Sequence, residues 1–295
     1  MPRLQVRSLS KTFAGVTVLD NAHLTLAPGE IHALVGQNGS GKSTLIKLIS
    51  GVYSADRGGE ILVDGHHIGP PVHAGQLHHD GLAFVHQDLG LVPDLTVREN
   101  VRVGRHATKG AYFIDKAADC EAVRATFEFL GVDIDPEAPV GTLMPSEKVA
   151  VAVARALQER AEGSGVIVFD ESSRAIPHEA IPAFYDMVRF LAGQGTSVLF
   201  VSHDLKEVLA LGDSVTVLRN GKVVEASVPT SSLDEASLTR LVLGRDGAVG
   251  DLVAAYPPQL GNEQIALTGL AGGRVLDMTA MIRAGEAVGV TGTVN

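Results

Sequence analysis

Through the first 35 residues the apolar positions come in short bursts broken by polar turns. LQVRSL, HLTL and, after Pro28-Gly29, EIHALV are therefore expected as strands. A glycine-rich stretch follows, and STLIKLISG then repeats its apolar positions at helical spacing up to Gly51, which predicts strand, glycine loop, helix in that order. EILVDG reads as part of a hairpin, and GLAFVHQ, beyond a histidine- and proline-containing loop from His66 to Asp80, reads as a further strand. From about Val97 to Arg160 the pattern is helical without a convincing strand, which suggests a helical subdomain inserted into a sheet domain. Strand patterns return in GVIVFD and TSVLFVS. The amphipathic EAIPAFYDMVRFLAG between them predicts a strand-helix-strand crossover, hence a core sheet that is mainly parallel and covered by helices. SVTVLRNGKVVEA is a hairpin turning at Asn220-Gly221.

Beyond Gly247 the pattern loosens through Tyr256-Pro257-Pro258. LTGL and RVLDMTAMIRAGEAVGVTG then retrace the opening theme: LTLAPGEIHALVGQNG and AMIRAGEAVGVTGTVN each run from an apolar strand through Gly-Glu into a second apolar strand and glycine. The expected organisation is one α/β domain over 4–246, with its helical subdomain at about 97–160. A linker and the opening strands of a truncated second copy would occupy 247–295.

A hydrophobic fraction of 45% against 20% charged residues suffices for a large core. The formal charge of -10, from 34 acidic and 24 basic residues, argues against nucleic acid as a partner, because polyanion binding needs clustered Lys and Arg. No apolar run approaches a membrane span and MPRLQVRSLS lacks a secretory core, so a cytoplasmic location is expected. Cys120, the sole cysteine, lies in a helical run as a small half-buried residue. His66, His67, His73, His78 and His79 crowd one loop but lack the spacing of a zinc site, and are read as a solvated loop.

Gly36-Gln37-Asn38-Gly39-Ser40-Gly41-Lys42-Ser43 carries the chemistry. Gly36, Gly39 and Gly41 let the backbone curl so that N–H groups face a phosphate, Lys42 reaches the β- and γ-phosphates, and Ser43 offers a hydroxyl to Mg²⁺ at a helix N-terminus. Val166-Ile167-Val168-Phe169 ends in Asp170-Glu171. Those two carboxylates suit a metal ligand and the polarisation of an attacking water. Gln87 and His203 follow strands in the same way, either as surface residues at strand ends or as contacts to Mg²⁺, water and the γ-phosphate.

From Arg7 to about Leu243 these residues resemble the ATP-binding cassette ATPases. The resemblance implies a P-loop NTPase fold of the α/β class, an ABC nucleotide-binding domain with a mainly parallel core sheet, an antiparallel β subdomain and an inserted helical subdomain. It implies ATP and Mg²⁺ as ligands. Gly36 to Thr44, including Asn38, Ser40 and Thr44, would form the phosphate loop, and Asp170 with Ser43 and Gln87 would meet the metal. Glu171, His203 and Gln87 would serve hydrolysis. Phe13 would stack on adenine, against the alternative of a core phenylalanine. EIHALVGQNGSGKSTLIKLISGVY, FVHQDLGLVPDLTVREN, VSHDLKEV and VTVLRNGK look like the first cassette of the fused two-cassette ATPases that energise ribose-, galactose- and xylose-type importers. The partners implied are a second cassette, a transmembrane permease and, indirectly, a periplasmic or lipid-anchored solute-binding protein, with the chain peripheral at the cytoplasmic face of the membrane. A degenerate regulatory cassette and a tandem cassette acting on ribosomes are the rival readings.

The family's signature departs here. Leu143-Met144-Pro145-Ser146-Glu147-Lys148 stands where a Leu-Ser-x-x-Glu-Gln form is expected, and Asp170-Glu171-Ser172-Ser173 is followed by Arg174-Ala175-Ile176. Proline at 145 removes a donor. In the family two cassettes meet head to tail, each nucleotide being gripped by one phosphate loop and the other cassette's signature. The expectation is therefore an asymmetric pair of sites.

Overall fold

The computed structural model describes residues 1–56, 58–68, 81–85, 89–109, 113–158, 165–170, 176–177, 180–244, 261–272, 275–284 and 286. They fall into two compact units, Met1–Gly244 and Arg245–Asn295.

In the first unit, β1 (Leu4–Phe13) and β2 (Val16–Leu26) form an antiparallel pair, turning at Ala14-Gly15 with φ of 46° and 83°. Sequence patterning predicts only short strands here, because Asp20 to His23 interrupts the apolar alternation of β2. β3 (Ile31–Val35) leads to α1 (Lys42–Ile49), and β4 (Glu60–Val63) with β5 (His66–His67) completes a four-stranded sheet of order β2-β1-β4-β5. β6 (Leu82–Val85) precedes the helical subdomain of α2 (Val97–Val101), α3 (Lys116–Leu130) and α4 (Pro145–Leu157). That subdomain also holds a two-residue hairpin, β7 (Thr108–Lys109) with β8 (Phe113–Ile114), where the periodicity suggested no strand. The chain continues through β9 (Val166–Asp170), α5 (Ile181–Gly193), β10 (Ser197–Val201), α6 (Leu205–Leu211), β11 (Ser214–Arg219), β12 (Lys222–Pro229) and α7 (Glu235–Leu243).

The central sheet has the order β12-β11-β3-β10-β9-β6, parallel from β11 to β6. Only β12 is antiparallel, returning from β11 through Asn220-Gly221, whose φ values of 50° and 78° match the hairpin turn the sequence signals. The sheet is covered on both faces, which explains why its strands read as unbroken apolar runs. Ile31, Ala33, Val35, Ile167, Phe169, Val198 and Phe200 enter one core with α4 and α5. Leu34, Val166, Val168, Leu199 and Val201 alternate into the other core with α1 and the antiparallel sheet. In the second unit, β13 (Glu263–Gly272) pairs antiparallel with β14 (Val275–Arg283).

Polar groups lock the parts. His32 is wholly buried, with Nδ1 at 2.9 Å from Glu30 Oε1 and Nε2 at 2.8 Å from Thr216 Oγ1. In the helical subdomain Asp119, also wholly buried, accepts from Arg102 Nε (3.1 Å), His106 Nδ1 (2.7 Å) and Ala107 N–H (2.8 Å). Burial alone would raise the pKa of Asp119. The hydrogen bonds from Ala107, His106 and Arg102 outweigh it and hold the carboxyl below its ordinary value. Its stabilisation is therefore fully present above the unfolded value of about 3.9 and is lost as pH falls through the lowered folded value. Asp119→Ala leaves Arg102 uncompensated and is expected to cost about 3 to 5 kcal/mol, read as a lower denaturant midpoint at pH 7. The gap between this variant and the unsubstituted chain should close as pH falls below that window. A gap independent of pH would remove the ionised carboxylate from the account.

Candidate functional site

Parallel register brings the ends of four strands to one edge of the sheet. Val201 on β10 is level with both Leu34 on β3 and Asp170 on β9. Two strand spacings separate Leu34 from Asp170, about 10 Å. The glycine loop leaves β3 one residue later, His203 leaves β10 between them, and Val85 ends β6 level with Phe169 on the far side. Gln87 and Glu171, expected in this site, lie outside the described residues. The edge therefore gathers the loop, His203 and Asp170 along neighbouring strands, as required of a site at the carboxyl ends of an α/β sheet.

The loop is curled around a buried charge. Lys42 is 5% exposed, and its Nζ donates to the carbonyls of Gly36 (2.7 Å) and Gln37 (3.2 Å). Gly36 must lack a side chain, since a Cβ there would stand 2.2 Å from Leu218 O and 2.6 Å from Ser40 Oγ. Gly41 caps α1, which begins at Lys42, so the ammonium and the helix N-terminus lie together. Gln37, Asn38, Gly39 and Ser43 are exposed, Thr44 is half-buried, and Ser40 is buried. Ser40 Oγ has no hydrogen-bond partner among the described residues, a donor left over at the base of the cradle. That orphaned hydroxyl, the lysine and the exposed Ser43 suit a phosphate with a bound divalent cation, and the half-buried Asp170 supplies the hard oxygen a magnesium ion prefers.

Other contacts fix the loop from outside, and sequence reading missed them because they join distant residues. Gly221 N–H, at the β11–β12 turn, donates to Ser40 O (2.9 Å), and Asp20 N–H on β2 donates to Gly221 O (2.8 Å). Gln37 Nε2 donates to Val242 O on α7 at 3.2 Å. His203 is exposed between β10 and Asp204, the residue whose carboxylate caps α6 by accepting from Lys206 N–H. Beneath it Ser202 Oγ donates to the buried Glu207. Phe13 is 38% exposed, packed edge-on to Tyr53 with centroids 5.2 Å apart and with Lys11 Nζ 5.2 Å from its ring, so the core alternative does not hold.

The N-terminus of α4 is closed upon itself. Met144 N–H donates to Glu147 Oε2 at 2.7 Å, and Pro145, the first helical residue, has no N–H. A carboxylate thus occupies the positive end of this helix, where an incoming anion would meet repulsion. Elsewhere, Cys120 Sγ donates to Glu137 Oε1 (3.2 Å) and burial raises its pKa, in keeping with an unreactive thiol. His66 and His67 are exposed on β5, the other three loop histidines lie outside the described residues, and no metal-holding cluster occurs among the described residues.

Residues 19–174, more than half the chain, match the family model described as ABC transporter. The ribose import ATP-binding protein RbsA 3 of Rubrobacter xylanophilus is 37% identical over 296 residues, 99% of this chain and 58% of that protein. RbsA of Corynebacterium glutamicum is 37% identical over 294 residues, 99% of this chain and 54% of that protein. The chain thus spans little more than half the length of the curated relatives it matches. Among solved structures, the ADP conformation of an ATP-binding cassette of an ABC transporter superimposes with a TM-score of 0.70 at 24% identity, covering 83% of this chain and all (100%) of that one. CbiO1 from Clostridium perfringens, part of the ABC transporter complex cbiONQ, superimposes with a TM-score of 0.66 at 23% identity over 86% of this chain and 99% of that one. With a family model matched over more than half of its length and relatives 37% identical across 99% of it, the chain belongs to the ABC transporter family.

Proposed function

We propose that this chain is an ATP-binding and hydrolysing cassette that energises the import of a sugar or related small solute through a membrane permease. The observation that carries the reading is the alignment of the Lys42 loop, His203 and Asp170 on one sheet edge. In this reading the backbone of 36–43 wraps the triphosphate, and Lys42 turns its ammonium from the loop carbonyls to the β- and γ-phosphates. Ser43, Asp170 and Gln87 hold Mg²⁺, which when bound offsets charge on the phosphate oxygens. Glu171 orients the attacking water, His203 donates to the γ-phosphate, and Phe13 offers its exposed face to adenine.

The relatives named for ribose import favour a sugar as cargo. No helix among the described residues is long and apolar enough to cross a membrane, so the transport path would belong to a separate permease, with this chain peripheral at its cytoplasmic face. The strand pair of 263–283 would open a second cassette. The self-capped α4 supports asymmetry: the nucleotide held by this chain's loop turns over, and the one completed by α4 does not. The same closed terminus is what keeps a regulatory reading in play.

Lys42→Ala should abolish ATP binding in titration calorimetry, and unchanged affinity would end this reading. In the complete protein with its second cassette, Glu171→Gln should reduce total hydrolysis by about 10²-fold or more. Retention of half the rate would show that the α4-completed site also works. Two glycines separate fold from ligand. Gly36→Ala should destabilise by about 1 to 3 kcal/mol through its clash with Leu218. Gly39, with φ of 77° and nothing within 4 Å of an added Cβ, faces open space. Gly39→Ala should cost only about 1 to 2 kcal/mol in strain yet weaken ATP binding, because the methyl stands where the phosphate approaches.

A further inference from the structure

A helix ends with carbonyls that its own N–H groups cannot reach. In the last turn of α7, two of them are met by side chains from elsewhere in the fold. Arg219 Nη1, at the end of β11, donates to Leu241 O (3.1 Å), and Gln37 Nε2, on the phosphate loop, donates to Val242 O (3.2 Å). We propose that Gln37 is a positioning residue that ties the phosphate loop to the end of α7, the helix whose cap, Gly244, is the last residue of the first unit. The inference rests on the ATP-binding reading above.

Gln37 faces both ways. Its carbonyl accepts from Lys42 Nζ (3.2 Å) and from Ser40 N–H (3.1 Å), so one peptide group holds the buried ammonium and the start of the cradle. Its side chain is exposed and gives its amide to a carbonyl 205 positions along the chain. The register of the sheet makes this reach possible. Val35 on β3 is level with Val217 on β11, and the residues that follow are Gly36 and Gln37 on one strand, Leu218 and Arg219 on the other. Leu218 O walls Gly36, and Arg219 takes the carbonyl next to the one that Gln37 takes. The two strand ends and the last turn of α7 thus close a ring around the outside of the loop.

The helix end of that ring is itself held. Leu238 is wholly buried, and Asp234 caps the N-terminus by accepting from Ser237 N–H (2.7 Å). At the other end Gly244 adopts φ of 68°, its N–H donates to Arg240 O (2.7 Å), and an added Cβ there would stand 2.2 Å from Arg219 Nη1. The guanidinium therefore packs directly on the cap. Releasing the Gln37 side chain frees the peptide that Lys42 and Ser40 share, and the loop must then be ordered as the phosphates bind. A displacement of the chain at Gly244 falls on the same turn and reaches Lys42 through Gln37.

The test is calorimetric titration of the 295-residue chain with ATP and Mg²⁺ for the unsubstituted chain, Gln37→Met, Arg219→Met and the pair. Methionine keeps the length of either side chain and removes its donors. Gln37→Met should weaken binding by about threefold to tenfold, the worth of one hydrogen bond. Arg219→Met should weaken it by a smaller factor and add nothing in the Gln37→Met background, because both act through one turn of α7. Should Arg219→Met not fold, Gly244→Ala stands in, since its Cβ displaces the guanidinium. Without ligand, amide exchange at Ser40 should quicken in both single variants while the amides of β10 keep their protection. Undiminished affinity in either single variant, additive losses, or exchange that quickens equally in β10 each overturn the proposal and leave the nucleotide reading standing. Failure of the unsubstituted chain to bind ATP overturns the nucleotide reading first and this inference with it.

Discussion

A buried ammonium under a glycine loop is the constraint around which this chain is organised. Lys42 cannot remain charged at 5% exposure without acceptors, and it obtains them by drawing in the carbonyls of Gly36 and Gln37. The loop is thereby curled around that charge. Its exterior is then fixed by residues from elsewhere: Leu218 O lies against Gly36, and Gly221 holds Ser40. These braces come from β11 and its hairpin turn, so the sheet edge and the loop it supports are one object.

The parallel sheet serves that constraint. Parallel strands put all their carboxyl ends on one side, and the register Leu34–Val201–Asp170 spaces the functional groups by strand separation rather than by loop flexibility. Alternation of each strand between two cores fixes that register, because a slip of one residue would exchange the entire set of buried faces. The buried His32 and its partners pin the opposite end of β3. The fold thus fixes the height at which Asp170 and His203 leave the sheet.

Much of this was legible because its causes are local. The strand-loop-helix around Lys42, the unbroken apolar runs of β9 and β10 and the Asn220-Gly221 turn each carry their reason within ten or so residues of sequence. The length of β2 was not legible, since Asp20 to His23 hides a strand held by its pairing with β1. The β7–β8 hairpin is hidden for a different reason: two-residue strands leave no periodicity. Within the site, Lys42, Ser43 and Asp170 were visible as types in a pattern. The contacts of Leu218, Gly221 and Arg155 were not, because a backbone carbonyl or an arginine in an alanine-rich helix announces nothing until the partner across space is known.

The α4 helix joins these themes. Its middle, Val149 to Ala154, is buried throughout, so the helix can move only with what surrounds it. At its start Glu147 closes the N-terminus, and near its end Arg155 clamps Leu89 and Gly90. The two ends therefore differ in kind: at the first a single backbone donor, Met144 N–H, is satisfied by the helix's own Glu147, while the second reaches across to Leu89 and Gly90. The contacts at one end of this helix can therefore change without loosening those at the other. The separation follows from geometry, since the capping bond spans three residues and the clamp lies more than two turns away along the same rigid rod.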